Sequence, residues 1–475
     1  MSAIRHIALK ALPFSDAGSA GLPLGQLLRL SLFQVSVGMA AVMLLGTLNR
    51  VMIVELRLSA TLVALMIALP VLIAPFRALL GFRSDTHASA LGLRRLPYLW
   101  FGTLWQFGGL AIMPFALLIL GGYDQIRVPW LGEAFAALAF VMTGLGMHMT
   151  QTAGLALAAD RADEATRPRV VALLYVAFLA GMLVSSVAIG WLLRDFDPVV
   201  LIQVVQGTAV ATLLLNLTAL WKQEGLRSLS AEERARPRPP FAAAWADLAR
   251  GGTAGRLLAA VFLGTMAFTM QDVLLEPYGG EILGLSVSNT TLLTATWAAG
   301  ALASFALAAR WLSQGINPTR MAARGVLAGV AAFCAVIFAA PLDNAPLFFA
   351  GSAGIGFGGG LFAVATLTTA MTLPVTDIAG RGLALGAWGA AQATAQGLAT
   401  AIGGALRDGV DAAATAGILG EALNDPATGY SVVYHAEIGL LFLTLAALGP
   451  LVRRTERNDP TRTEARPIGL ADFPT

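Results

Sequence analysis

Cysteine and charged residues are scarce in this 475-residue chain. Its one cysteine, Cys334, lies inside an apolar run, which excludes a disulfide framework and a cysteine metal site. Charged residues make up 12% of the chain and hydrophobic residues 57%, whereas a soluble domain carries roughly 25% charged residues. The composition is therefore that of a polytopic membrane protein. A net charge of +3 is too small to indicate a nucleic-acid partner.

Catalytic motifs are missing as well. The glycine-rich run at 351–360 follows no predicted strand, so it is not a phosphate-binding loop. The sequence has no cluster of metal ligands, and no nucleophile stands at a recognisable spacing from a base. We therefore expect a protein that is not an enzyme. Residues 1–25 lack the apolar region of a cleavable signal peptide, so we expect none.

Twelve apolar runs are each long enough to cross ~30 Å of hydrocarbon as a helix of about 20 residues. A polar stretch separates the sixth run from the seventh. We predict an amphipathic segment, a six-helix bundle, a linker, a second six-helix bundle and a tail, at residues 1–26, 27–221, 222–252, 253–452 and 453–475. The spans are predicted near 28–53, 59–80, 97–121, 131–158, 169–193, 199–221, 255–276, 288–309, 320–341, 345–373, 382–405 and 434–452.

The distribution of cations predicts the orientation in the membrane. If both termini lie on one side, that side receives all but five of the 31 Lys and Arg residues. Such an excess is typical of the cytoplasmic side. We therefore expect an even number of spans with both termini in the cytoplasm. The five cations on the other side are Arg50, Arg57, Arg127, Arg194 and Arg407.

An internal repeat supports an even number of spans. Leu48-Asn49-Arg50-Val51 in span one resembles Met270-Gln271-Asp272-Val273 in span seven, and Leu-Arg-Asp follows span five at 193–195 and span eleven at 406–408. Two six-span halves joined by a polar linker resemble the major facilitator superfamily. In that fold the halves are parallel repeats with a cavity between them. The predicted fold class is thus an all-α polytopic membrane protein with twelve transmembrane helices in two six-helix repeats.

The short charged link between spans two and three predicts a latch. A link this short makes the two helices antiparallel neighbours, and its carboxylate and guanidinium groups can form charge-assisted bonds at the membrane surface. The alternative is that the arginines only set the topology. The latch residues are Gly81, Asp85, Gly92, Arg94 and Arg95.

Several longer strings resemble the PucC/LhaA family, the bacteriochlorophyll-delivery branch of the superfamily. The resemblance covers all twelve spans, and the strings agree in order. They lie at 33–39, 46–56, 82–87 and 150–158, and include Gln271-Asp272-Val273-Leu274-Leu275-Glu276-Pro277-Tyr278-Gly279-Gly280.

This resemblance implies an assembly factor for light-harvesting complexes. It would bring bacteriochlorophyll, received from chlorophyll synthase, to the antenna α and β polypeptides as they insert into the lipid membrane; a carotenoid is a further candidate cargo. We favour the core antenna over the peripheral one. The alternative is a proton-coupled secondary transporter of a small or amphipathic solute, in which Asp272, Glu276 and Glu55 are candidates for binding the proton.

Among the four histidines, only His148 is predicted to lie deep in the membrane. A pigment magnesium needs an axial ligand such as an imidazole or an amide. Gln151 lies three residues from His148, on the same helix face, and Gln34 is a further amide in span one. An ionisable side chain at that depth is a candidate for function. The alternative is that His148 and the amides only hydrogen-bond neighbouring helices.

Charge also predicts a gate at the periplasmic end. Asp272 and Glu276 share one face of span seven, and Arg50 has the repeat-equivalent place in span one. Spans one and seven face each other in this fold, so we predict that Arg50 pairs with Asp272 or Glu276. The alternative is a pair within its own half, for example with Glu55.

Overall fold

The computed structural model describes residues 17–19, 21–72, 95–121, 130–163, 166–223, 252–371 and 380–457, and the described part contains helices and no strands. The helices are α1 (Leu24–Leu30), α2 (Leu32–Ala41), α3 (Ala60–Leu72), α4 (Leu96–Leu120), α5 (Leu131–Arg161), α6 (Arg167–Leu192), α7 (Pro198–Leu220), α8 (Thr253–Thr269), α9 (Leu275–Glu281), α10 (Val287–Ser313), α11 (Pro318–Ala339), α12 (Ala345–Met371), α13 (Gly380–Thr415) and α14 (Thr428–Arg457).

Ten helical segments of the described part are long and apolar enough to cross a membrane. The helices α3 and α13 lie where the sequence predicts spans two and eleven, and the total of twelve spans stays a prediction. Helix α13 continues past the predicted span end at 405 to Thr415. The charged residues Arg407 and Asp408 do not end it, because each has partners on neighbouring helices.

Two spans are built from broken helices. Span one, Leu24–Glu55, changes after α2 into π-helical turns at Val42–Leu48 and Val51–Glu55. Span seven, Thr253–Glu281, contains a 3₁₀ turn at Met270–Val273 between α8 and α9. These irregular turns occur at the two sequence strings that the internal repeat relates, Leu48-Asn49-Arg50-Val51 and Met270-Gln271-Asp272-Val273. Turns of this kind inside long helices are frequent at functional sites.

Small residues let the helices of the second half approach closely. A Cβ added to Gly356 of α12 would collide with the carbonyl oxygen of Trp297 in α10, and one added to Gly300 of α10 would collide with the carbonyl oxygen of Ala353. The hydroxyl of Ser352 donates to the carbonyl of Leu293 at 3.0 Å across the same interface. The glycine-rich run therefore serves helix packing.

Contacts between the halves leave a space on the central axis. Helix α3 packs along α13, and α6 packs along α10. Span one starts at the end of the bundle where Gln26 accepts a hydrogen bond from Arg161 at 2.5 Å. Its 32 residues carry it roughly 48 Å to Glu55 at the opposite end. We call these the Arg161 end and the Glu55 end.

Gly356→Ala should destabilise the fold. The added methyl group must push α10 away from α12, and overpacking of this kind costs about 1–3 kcal/mol. The measurement is the thermal unfolding midpoint of the purified protein in detergent. Gly359→Ala on the same helix is the control, because its Cβ would stand 3.4 Å from Phe268, an ordinary contact. Equal midpoints for the two variants would contradict the packing explanation.

Candidate functional site: the central cavity

A cavity of about 1330 Å³ lies between the halves. Ligand pockets usually have volumes of roughly 300–1,000 Å³, so this one accommodates a large molecule. Residues from α2, α3, α5 and α6 line one side, and residues from α8, α10, α12 and α13 line the other. Most lining side chains are apolar. The polar ones include His148, Gln151, Gln271, Asp272, Glu276, Thr294, Gln392 and Gln396.

The structure brings the three predicted pigment candidates together. His148 and Gln151 both line the cavity from α5, as their spacing predicts. The amide of Gln151 donates to the amide oxygen of Gln34 at 3.4 Å. Gln34 itself is fully buried and is not among the residues that line the cavity. It thus supports Gln151, while His148 and Gln151 are the groups that a bound molecule can reach.

Aromatic residues of both halves supply broad apolar surfaces. Trp297 and Trp388 line the cavity, and the indole N–H of Trp388 donates to the hydroxyl of Thr366 at 3.2 Å. Sequence reasoning missed these two tryptophans. Trp297 lies in the middle of predicted span eight, away from the interfaces where tryptophan usually collects, and that position was the available signal. Trp388 lies near the start of predicted span eleven and gave no such signal.

Arg95 and Asp160 line the cavity near the Arg161 end. The guanidinium Nε of Arg95 donates to the carboxylate of Asp160 at 2.9 Å. The Arg95 side chain is 6% exposed and that of Asp160 is 44% exposed. The other latch residues, Gly81, Asp85, Gly92 and Arg94, lie outside the described residues. Their part in the latch stays a prediction, and Asp160 is a partner that the latch prediction did not include.

At the Glu55 end, Arg50 does not form the predicted ion pair. It pairs with Glu55, the alternative within its own half, and its second terminal nitrogen donates to the carbonyl of Leu285 at 3.2 Å. In the described structure Asp272 and Glu276 accept hydrogen bonds from Gln271 and Thr294, and not from Arg50.

The π-helical turn explains this partner. In a π-helix the backbone bonds join residues five apart, so Arg50 and Glu55 come to one face. In an α-helix with 3.6 residues per turn, these two residues would point in different directions. An analysis that assumes an α-helix therefore does not place Arg50 and Glu55 on one face.

Spans one and seven nevertheless meet as predicted. The side-chain amide of Asn49 donates to the carbonyl of Val273 at 2.9 Å. A Cβ added to Gly46 would collide with the carboxylate of Glu276, and one added to Gly280 would lie 3.0 Å from the guanidinium of Arg50. The two broken segments thus close the Glu55 end of the cavity by direct contact.

A second closure at this end was not predicted. Asp408 of α13 accepts hydrogen bonds from the backbone N–H and the hydroxyl of Thr61, both at 2.6 Å, and so caps α3 of the other half. Arg407 bonds to Asp408 at 3.0 Å and to Glu281 at 2.8 Å, and Tyr430 donates to Glu281 at 2.7 Å. In the sequence, the repeated Leu-Arg-Asp string was the only feature that drew attention to Arg407 and Asp408.

Asp408→Ala should lower the free energy of unfolding by about 1–2 kcal/mol, because it removes a helix cap that joins the halves. The measurement is the thermal unfolding midpoint in detergent. Asp195→Ala is the matched control from the equivalent string. Asp195 is 91% exposed and bonds to the adjacent Arg194 at 3.2 Å. If the Asp195 variant loses as much stability as the Asp408 variant, the capping bonds are not responsible.

Comparisons with known proteins give the following findings. The model of the family described as PUCC protein matches residues 47–456. A Rhodobacter capsulatus protein described as "Uncharacterized protein in puhA-bchM intergenic region" is 62% identical over 474 residues, which cover 99% of this chain and 98% of that protein. Protein PucC of Rhodovulum sulfidophilum is 51% identical over 86% of this chain and 90% of its own length.

Solved transporter structures share the fold. A bacterial homologue of the human lysosomal transporter Spinster, in an inward-facing conformation, has a TM-score of 0.63 and 13% identity over 92% of this chain and 98% of its own. A bacterial homologue of the iron transporter ferroportin has a TM-score of 0.64 and 14% identity over 89% of this chain and 97% of its own. Such low identities show the fold alone, which this chain shares with these transporter structures.

Proposed function

Because this chain belongs to the PUCC protein family, we propose that it binds bacteriochlorophyll in the membrane and delivers it to light-harvesting antenna polypeptides during their assembly. The family and the 51% identical PucC relative link the chain to photosynthesis. The name of the 62% identical relative refers to the puhA-bchM intergenic region. On this proposal the protein carries its cargo without a catalytic step.

The central cavity is the observation that carries the proposal. Its volume of about 1330 Å³ and its apolar lining suit a large amphipathic molecule. Trp297 and Trp388 offer flat surfaces to a planar ring system. His148 supplies an imidazole, and Gln151 supplies an amide oxygen of the kind that suits magnesium. These residues fit a magnesium-containing pigment.

Each residue has a separate part in holding such a cargo. His148 is the proposed axial ligand of the pigment magnesium, and Gln151 lies beside it, tied to Gln34. The tie restricts the rotation of Gln151, since its amide nitrogen is committed to the neighbouring helix. The apolar residues exclude water from the ring. The ion pair of Arg95 with Asp160 borders the cavity near the Arg161 end.

The proposed partners follow from the family. They are the antenna α and β polypeptides, those of the core antenna first, and chlorophyll synthase as the source of the pigment; a carotenoid is a second proposed cargo. The proposed location is the inner, intracytoplasmic membrane with both termini in the cytoplasm. The cation distribution supports this orientation.

A second candidate function has its own support. The carboxylates of Asp272 and Glu276 line the cavity, as the titratable groups of a proton-coupled transporter would. The solved structures that share the fold include transporters. The distinguishing experiment is purification in mild detergent followed by an absorption spectrum. Copurified bacteriochlorophyll and antenna peptides support delivery, whereas a colourless protein supports transport of another solute.

His148→Leu should reduce the pigment that copurifies with the protein. Loss of a ligand bond worth about 1.4 kcal/mol weakens binding roughly tenfold. The measurement is the ratio of bacteriochlorophyll absorbance to protein. His435→Leu is the matched control, because His435 is exposed and bonds only within its own helix among the described contacts, to Ser431. An unchanged ratio in a folded His148 variant would eliminate this ligand.

A further inference from the structure

Two glutamines on helix α13 line the side of the cavity that lies opposite His148 of α5. Gln392 and Gln396 follow Trp388 at intervals of four residues, and all three side chains line the cavity. Residues four apart share one face of a helix, and each step of four residues advances roughly 6 Å along its axis. The cavity wall formed by α13 therefore carries one indole ring and two amides in a row.

The amides of Gln392 and Gln396 have hydrogen-bonding groups to spare. Among the other glutamines that line the cavity, Gln151 donates to Gln34 and Gln271 donates to Asp272. In the described structure no hydrogen bond joins the side chain of Gln392 or Gln396 to another residue. Each amide has two N–H donors, and an apolar surround makes it costly to leave them unpaired. These donors are available to a molecule in the cavity.

The surface beside these amides is flat. Gly389 lies between Trp388 and Gln392 and also lines the cavity, and a Cβ added to it would meet nothing within 4 Å. Ala393, the next residue after Gln392, presents only a methyl group. The indole of Trp388 is held in place by its hydrogen bond to Thr366 of α12 at 3.2 Å. A planar ring can therefore lie along this wall with its edge at the two amides.

The proposed cargo carries the complementary groups. The ring system of bacteriochlorophyll has acetyl, ketone and ester carbonyl groups at its edge, and their oxygens are hydrogen-bond acceptors. An acceptor buried without a partner costs free energy, so amide donors beside the ring edge favour a ring that carries carbonyl groups. An axial ligand such as His148 approaches the face of the ring, whereas these amides approach its edge. The two kinds of contact therefore do not compete.

We propose that Gln392 and Gln396 donate hydrogen bonds to carbonyl oxygens at the edge of the cargo's ring system and so determine which pigments the cavity accepts. This inference rests on the proposed function for the identity of the cargo. It assigns a second point of contact to the second half of the protein, since His148 belongs to the first half. A cargo held at both points joins the two halves across the cavity.

The test uses bacteriopheophytin, in which two protons replace the magnesium, because this pigment keeps the carbonyl groups and needs no axial ligand. The full chain in detergent is titrated with it, and quenching of the tryptophan fluorescence gives the Kd. Gln392→Leu and Gln396→Leu should each raise the Kd about tenfold, which corresponds to the loss of roughly 1.4 kcal/mol when a buried carbonyl loses its donor.

Two control variants should leave this Kd unchanged. Gln206→Leu is the matched control, because Gln206 lies in the membrane span α7 but is exposed and does not line the cavity. His148→Leu is the second control, since a pigment without magnesium has no metal for the imidazole to bind. If either control weakens binding as much as the two amide variants do, the amides have no specific part and the proposal is wrong.

The vibrational spectrum of the bound pigment distinguishes direct contact from an effect on the fold. A carbonyl group that accepts a hydrogen bond has a lower stretching frequency than a free one. Resonance Raman spectra of the wild-type complex should show lowered carbonyl frequencies, and each amide variant should return one of them to the free value. The wild-type spectrum is informative even if a variant does not fold. A spectrum with free carbonyl groups alone would overturn the proposal.

The outcomes also separate this inference from the proposed function. If the wild type copurifies with bacteriochlorophyll but does not bind bacteriopheophytin, delivery stands and the amide contacts are overturned. If the amide variants weaken the binding of bacteriochlorophyll alone, the amides bind magnesium and the proposal is again wrong. If bacteriopheophytin binding depends on the amides while no bacteriochlorophyll copurifies, the amide contacts stand and delivery fails. A protein that binds neither pigment overturns both proposals.

Discussion

The rest of this structure depends on how two broken helices are satisfied inside the membrane. Without water, every backbone N–H and C=O group in the hydrocarbon region needs a partner within the protein. Where span seven breaks, the N–H of Gln271 bonds to Glu437 and the carbonyl of Val273 accepts from Asn49. Each partner comes from a different helix, α14 in one case and span one in the other. The broken turn is therefore stable only while these helices stay in place, and the closed end of the cavity is made from the same bonds.

Much of the fold was predictable because its determinants are local. The length of an apolar run decides whether a helix spans the membrane, and the period of the α-helix placed His148 and Gln151 on one face of the cavity. The repeat also placed spans one and seven in contact. The sequence left Glu55 as the alternative partner of Arg50, but the α-helical period could not favour it, because the π-helical turn changes which residues share a face. The capping of α3 by Asp408 was hidden for another reason, since its two partners are 347 residues apart in the sequence.

The two Leu-Arg-Asp strings show how equal sequences acquire different roles. After α6, the guanidinium of Arg194 lies over the ring of Trp191, 5.3 Å from its centroid, and Asp195 is exposed. In α13, Arg407 lies 4.7 Å from the ring centroid of Tyr430 and is held by Glu281. That arrangement turns the adjacent Asp408 towards α3. The repeat preserves an arginine beside an aromatic ring, but only the second half places the neighbouring acid against the other half. The Glu55 end is therefore closed asymmetrically.

Neutral ligand groups and carboxylates lie on different parts of the cavity wall. His148 and Gln151 on α5 offer neutral ligands, whereas Asp272 and Glu276 on span seven offer carboxylates. A neutral ring system that carries magnesium needs one neutral or oxygen ligand and an apolar surround, and gains nothing from two unpaired acids. Those acids are costly in a membrane unless a cation accompanies them. Their position beside the closing contact between spans one and seven connects them to the state of the bundle more directly than to the cargo. The proposed pigment ligands and the two acids therefore lie on separate parts of one cavity wall.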